Sequence, residues 1–301
     1  MTTRTISEPA CATRAAKSTR RRLVAVGVGD LGRDASTVDW ALSGGCGEDD
    51  IVHIVHAFVP LLINECSWEP IREARQARHD AARMVVARAL RPIHHRRPSV
   101  RAEGSAVAGL PGDVLTEFSE VVDLVIVGDD RLPPMASAGT TATLVRRSTC
   151  PVVVVPASYQ RVVDDARPVI ALVYELGLRS PVISFALDEA ARLGTTLKVA
   201  QYWLDLPTDL PITSELLADR QQQLDMELAD LRERVPSVGV IGEIILADTP
   251  LMLEEQRRAC QLLAVSSASR HLGELLRLRG RSNTPVVVVP ACWPGRTVLP
   301  A

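Results

Sequence analysis

No apolar stretch in the 301 residues approaches the roughly 18 needed to span a bilayer, and no apolar region follows the N-terminal charges as it would in a secretory leader. Neither a membrane protein nor an exported one is expected. The six cysteines, Cys11, Cys46, Cys66, Cys150, Cys260 and Cys292, form no C-x-x-C pair and no cluster with histidine, which excludes a zinc ribbon or redox pair. They read as small core residues in a reducing, cytoplasmic compartment. Excess charge is also missing, since 34 basic residues against 36 acidic ones leave a net −2 and no whole-molecule pull toward nucleic acid. The exception is the stretch 1–22, where Arg4, Arg14, Lys17, Arg20, Arg21 and Arg22 face only Glu8. Rich in Ser, Thr and Ala and without periodicity, it reads as a solvated, disordered basic tail.

What the chain does contain is one phrase written twice. Thr149-Cys150-Pro151-Val152-Val153-Val154-Val155-Pro156-Ala157 returns as Asn283-Thr284-Pro285-Val286-Val287-Val288-Val289-Pro290-Ala291. Four valines between prolines are too short for a helix and carry no polar alternation, so each run reads as a strand buried on both faces. Repetition of a closing strand predicts two copies of one unit. In the first copy apolar runs recur at 23–28, 51–58, 100–108, 124–127 and 152–155, with helical patterns between them. One helix starts at Asp34 as N-cap and runs to Leu42. A long one from Glu69 carries Ile71, Ala74, Ala77, Ala81, Met84, Val85 and Ala89 on roughly one face. Shorter ones cover 111–122 and 139–147. The second copy retraces this order with strands at 169–174, 197–203, 238–246, 262–266 and 286–289, and a long helix marked by Leu217, Leu224, Leu228, Leu231 and Val235.

Alternating strands and helices with near-continuous apolar strands predict parallel sheets covered on both sides. The expected fold is α/β, two tandem doubly wound five-stranded parallel-sheet domains. The boundaries are a basic tail at 1–22, a first domain at 23–157, a linker at 158–168, a second domain at 169–291 and a tail at 292–301. Valine-rich final strands make self-association through them the expected partnership, within one chain as a pseudo-dimer and open to a further homodimer. Two wound sheets, and not one continuous sheet, are expected.

Ligands of such folds lie outside the carboxyl ends of the strands where the order reverses, between the first strand and the fourth. The loops there follow Val28 and Val127 and are glycine-marked. One runs through Gly29-Asp30, the other from Gly128-Asp129-Asp130-Arg131 to Gly139-Thr140-Thr141 at a helix start, where free N–H groups favour phosphate. Gly27, Gly29 and Gly32 also spell G-x-G-x-x-G, but the fingerprint needs an acidic residue ending the second strand. That place holds Ala57-Phe58-Val59-Pro60, so the match reads as chance.

At these residues the chain resembles the universal stress protein family in its tandem, two-domain form. The resemblance rests on the five-strand order, on a first strand ending near an aspartate, on Leu124-Val125-Ile126-Val127-Gly128, and on the Cys-Pro-Val-Val-Val-Val-Pro ending preceded by a basic helix. It implies the adenine nucleotide alpha hydrolase-like fold and a binding or regulatory role in stress survival, in a family with ATP-binding and non-binding branches. The ATP-binding branch reads G-x2-G-x9-G-(S/T) after the fourth strand. Gly128 matches its first glycine, and Gly139 with Thr140 its last pair. Its second glycine falls on Arg131, the loop is shortened and holds Pro133-Pro134, and the family aspartate falls on Gly29 with Asp30 one place later.

The candidate nucleotide-binding residues are therefore Gly29, Asp30, Val127, Gly128, Arg131, Gly139, Thr140 and Thr141. Two readings stay open. In the first, a non-catalytic stress-response module has a degenerate nucleotide site. In the second, the first domain alone binds ATP, with hydrolysis that is slow if it occurs. No Ser, Cys or His is placed to complete a catalytic set with Asp129 and Asp130, so no catalytic residue and no metal ligand is assigned. The second copy has Tyr174-Glu175 and a serine-rich turn, Ser266, Ser267 and Ser269, where phosphate-admitting glycines would stand; the serines read as turn and cap residues. His53 and His56, three apart on one strand, face opposite sides and read as core or rim. His94, His95, Arg96 and Arg97 read as a solvated helix end that complements the dipole.

Overall fold

A computed structural model of the chain describes residues 21–29, 34–60, 69–129, 139–163, 165–174, 180–202, 214–246, 250–269, 272–273 and 282–295. The first half runs β1 (Leu23–Gly27), α1 (Ala35–Trp40), a π-helical turn (Ala41–Gly45), β2 (Ile51–Phe58), α2 (Glu69–Arg96), β3 (Arg101–Ala108), α3 (Pro111–Ser119), β4 (Leu124–Gly128), α4 (Thr140–Arg147) and β5 (Val152–Val155). The second runs β6 (Val169–Val173), α5 (Pro181–Leu193), β7 (Leu197–Tyr202), α6 (Ser214–Arg234), β8 (Val240–Ile245), α7 (Pro250–Arg258), β9 (Leu262–Ser266) and β10 (Val286–Val289).

The strand order β3-β2-β1-β4-β5-β10-β9-β6-β7-β8 is one five-strand order written outward from the centre twice. Every pairing within a half is parallel, whereas β5 and β10 pair antiparallel at the centre. Two separate sheets are therefore not what forms. The closing strands use each other's edge groups, which fuses two wound sheets into one of ten strands. All eight valines are buried, one set of each strand facing each of two apolar clusters that run through both halves. That is why these strands show no alternation.

The register shows the doubling residue by residue. Val24 pairs with Val52 and Leu124, and Val169 pairs with Leu197 and Leu262, so these positions correspond. Gly104 of β3 and Gly242 of β8 then occupy the same place. Each lets a long helix settle on the sheet: a Cβ on Gly104 would lie 2.6 Å from Val86 Cγ1 and 2.9 Å from Ile54 O, and one on Gly242 2.8 Å from Leu224 Cγ.

Three expectations need correction. Arg22 is not tail but fold, 8% exposed, with its guanidinium on Asp50 (3.2 Å), on Glu189 of α5 and on the Gly45 carbonyl. A charge so buried persists because every side of it meets an acceptor. On α2 the buried face is Ala82, Val86, Ala89 and Ile93. Ala74, Ala77, Ala81 and Met84 are exposed, because alanine spacing alone does not commit a helix face to a core. The end of α2 is also fastened, with Arg97 donating to the carbonyls of Leu42 (3.1 Å) and Cys46 (2.7 Å) and Arg96 pairing with Asp39. The leucines of α6 do mark its inner face, with Leu224 and Leu228 buried and Leu231 packed beside them.

Candidate functional site: the strand-end opening

β1 and β4 lie side by side, so their carboxyl ends bring Gly29 and Gly128 together at the reversal of strand order. Between them stands Asp34. It occupies the N-cap position of α1, yet makes no side-chain cap bond. Its carboxylate instead accepts the Gly29 N–H, and its other oxygen would lie 3.1 Å from a Cβ placed on Gly128. The Thr37 hydroxyl, on a fully buried residue, would meet the same Cβ at 2.9 Å and has no hydrogen-bond partner among the described residues. Gly128 is thus required by close approach of α1 to the strand end. Asp34 and Thr37 are the residues that sequence reasoning missed. The signal was an aspartate in the loop after β1, absorbed by the capping reading.

The remaining candidates divide. Val127 is 4% exposed and serves the core under α4. Gly139, at the N-cap of α4, has extended backbone (φ −61°, ψ 149°) and, with Thr140, starts that helix beside the opening. Thr141 turns inward, fully buried, with its hydroxyl 3.4 Å from the Gly128 carbonyl, and so ties α4 to β4 instead of facing a ligand. Asp30 and Arg131 lie outside the described residues. Gly27 ends β1, where a Cβ would meet Leu115 Cδ1 at 2.9 Å; this glycine answers helix packing, not a dinucleotide.

The second half carries larger side chains at the corresponding positions. By register Tyr174 stands where Gly29 does and Tyr202 where Ala57 does. Their rings stack at 5.3 Å and 27°, and Tyr202 is 2% exposed. Ser269 donates to the Tyr174 hydroxyl at 3.4 Å, while Ser266 and Ser267 bond backbone N–H groups of Ala268 and Ala291. These serines are turn and cap residues.

His56 donates from Nδ1 to the Val28 carbonyl at 2.8 Å, and His53 sits 2.9 Å from Ser105 Oγ; both are satisfied rim residues. Cys46, Cys150 and Cys260 are buried and free, each thiol pushed up to about 12 by burial, whereas Cys292 is exposed. Cys11 and Cys66 lie outside the described residues. Among the described residues no group of three or more His, Cys, Asp or Glu could hold a metal. None of their helices is long and apolar enough to cross a membrane.

Two five-stranded wound sheets joined edge to edge, each with an opening at the strand reversal, define the class as a doubled, doubly wound α/β protein. No family model matches the chain. A universal stress protein from Mycolicibacterium smegmatis is 27% identical over 290 residues, 88% of this chain and 96% of that one. A universal stress protein from Mycobacterium tuberculosis is 25% identical over 291 residues, 88% and 95% of the two chains. Among solved structures, a universal stress protein from Archaeoglobus fulgidus is similar over 89% of this chain and 96% of its own, at 15% identity and a TM-score of 0.57. The cytoplasmic domain of a prokaryotic cation chloride cotransporter is similar over 92% and 98%, at 10% identity and a TM-score of 0.56. The last two speak for the fold alone, which hosts more than one role. Over most of its length the chain is similar to universal stress proteins of the same, two-domain size.

Proposed function

We propose that the protein serves the stress response in the cytoplasm as a non-catalytic binding or regulatory module whose nucleotide opening is degenerate in both halves. The observation that carries this reading is the pair of occupants at equivalent strand ends. Tyr174 and Tyr202 fill the second opening, and in the first the Asp34 carboxylate holds the Gly29 N–H beside Gly128. A carboxylate placed there takes a donor that a phosphate would need and repels its charge. The described residues therefore fit a nucleotide phosphate poorly, and no step is routed through one.

Isothermal titration with ATP and magnesium tests this. The wild-type protein is expected to give no saturable heat at millimolar ligand, and Asp34→Ala to improve binding by at least about tenfold, ~1.4 kcal/mol. Micromolar binding by the wild type would overturn the reading.

One observation favours a second reading, ATP binding by the first half alone. Gly29 and Ala57 stand where the second half stacks two tyrosines, so the first half has small residues where a planar ring would lie. Under that reading wild-type protein binds ATP, Gly128→Val abolishes binding through its clash with Thr37, and any slow phosphate release disappears in Gly139→Val.

A further inference from the structure

Where the two halves meet on the face covered by α1 and α5, a cavity of about 260 Å³ opens at the seam. It is separate from the strand-end opening. Its walls come from three parts of the chain: Trp40 and Ser43 from the first half, Tyr159 and Arg161 from the connection between halves, and Leu193 and Asn283 from the second half. We infer that this seam cavity is a binding site for a small aromatic monocarboxylate, a reading independent of the nucleotide question.

Charge selects the carboxylate and its number. Of the two guanidinium groups on the wall, that of Arg167 is spent, with Nε 2.8 Å and Nη2 2.6 Å from the Asp165 carboxylate and Nη1 donating to the Arg258 carbonyl at 3.1 Å. These bonds also hold the Asp165 carboxyl below its usual range. The Gln261 amide is likewise committed, to the carbonyls of Asp165 (3.2 Å) and Arg167 (2.7 Å). Arg161 is exposed and makes no ion pair among the described residues, which leaves its guanidinium at the rim for a ligand. One such charge suits one carboxylate, and a triphosphate would need several.

Shape and the aromatic residues of the wall select the ring. Tyr159 offers a half-buried aromatic face, backed by the buried Trp40. The Tyr159 hydroxyl is fixed 3.1 Å from Ser43 Oγ, and burial raises its pKa, which keeps it a neutral phenol. Val162 borders the same space and is left 55% exposed among the described residues, an apolar lip to the cavity. The volume lies just below the range of about 300–1,000 Å³ usual for drug-sized ligands, so a single or fused ring bearing one acid group fills it.

The test uses the full chain with benzoate, 4-hydroxyphenylacetate and indole-3-acetate, each beside its primary amide, read by saturation-transfer NMR and thermal shift. At least one acid is expected to saturate with a Kd under ~1 mM. Its amide, and the Arg161→Gln variant, should each weaken binding about tenfold. Asn283→Trp, an exposed change at the mouth, should abolish binding while leaving the unliganded melting temperature within about 2 °C of wild type. No saturation by any of the three acids at about 10 mM would overturn the inference. So would an acid that binds no better than its amide, or whose binding both variants leave unchanged.

Discussion

A single arginine at the margin of the basic tail is built into the core, and its partners set how the protein responds to acid. Arg22 reaches across the halves to Glu189, which also pairs with Arg192 and is only 2% exposed. Burial alone would raise the Glu189 carboxyl, but Arg192 and Arg22 outweigh it and hold the pKa below its usual range. A folded pKa below the unfolded value of about 4.3 means that the stabilisation is complete at neutral pH. It is lost as pH falls through the folded value. Glu189→Gln is therefore expected to cost about 3 kcal/mol at pH 7, because it leaves Arg22 buried with one fewer counter-charge. It should also flatten the loss of stability below about pH 4, measured as the urea midpoint against pH. Thiol chemistry gives a second residue-scale outcome. Burial pushes Cys46, Cys150 and Cys260 up to about 12, whereas Cys292 is exposed. Titration of native protein with an aromatic disulfide should lose one fast-reacting equivalent in Cys292→Ser, and none when any of the three buried thiols is replaced by serine.

At the scale of elements, helices and strands were legible in proportion to how strongly each residue commits to burial. Valine runs between prolines declared β5 and β10, and leucines at helical spacing declared the inner face of α6. Of the alanines expected on the inner face of α2 only Ala89 is buried, and the stripe falls on Ala82, Val86, Ala89 and Ile93. The strand-end site was legible only in its glycines. Asp34 reads locally as a cap, and its bond to Gly29 depends on how the loop after β1 folds back. The Tyr174 and Tyr202 stack depends on strand register, which periodicity cannot supply. Gly104 and Gly242 show the same limit, since their equivalence emerges only from pairing. They also yield a graded prediction. Gly104→Val would force a side chain against the Ile54 carbonyl as well as Val86, whereas the nearest atoms to a Cβ on Gly242 are the flexible side chains of Leu224 and Leu228. The first is expected to cost more, toward the upper end of the ~1–3 kcal/mol typical of overpacking, and thermal melts of the two variants should rank in that order.

For the whole molecule, the seam is the feature on which both halves depend, and its register is self-complementary. Val286 faces Val154, Val287 faces Val153 and Val288 faces Val152, so the pseudo-twofold passes through the second valine of each run. A strand that pairs with its own copy in this way can in principle pair with itself, as an isologous contact requires. Residues 21–157 expressed alone would expose the β5 edge and the apolar surface that the second half covers. They are expected to form a homodimer through β5, read as twice the monomer mass by light scattering on a sizing column. The dimer should be weaker than the intramolecular seam, because the second half brings the effective concentration of one chain and Glu189, the buried partner of Arg22. Val153→Lys places a charge at the centre of the contact and should leave this half monomeric. A half that stays monomeric with its valine intact would show that β5 needs the particular surface of the second half and not merely a matching edge.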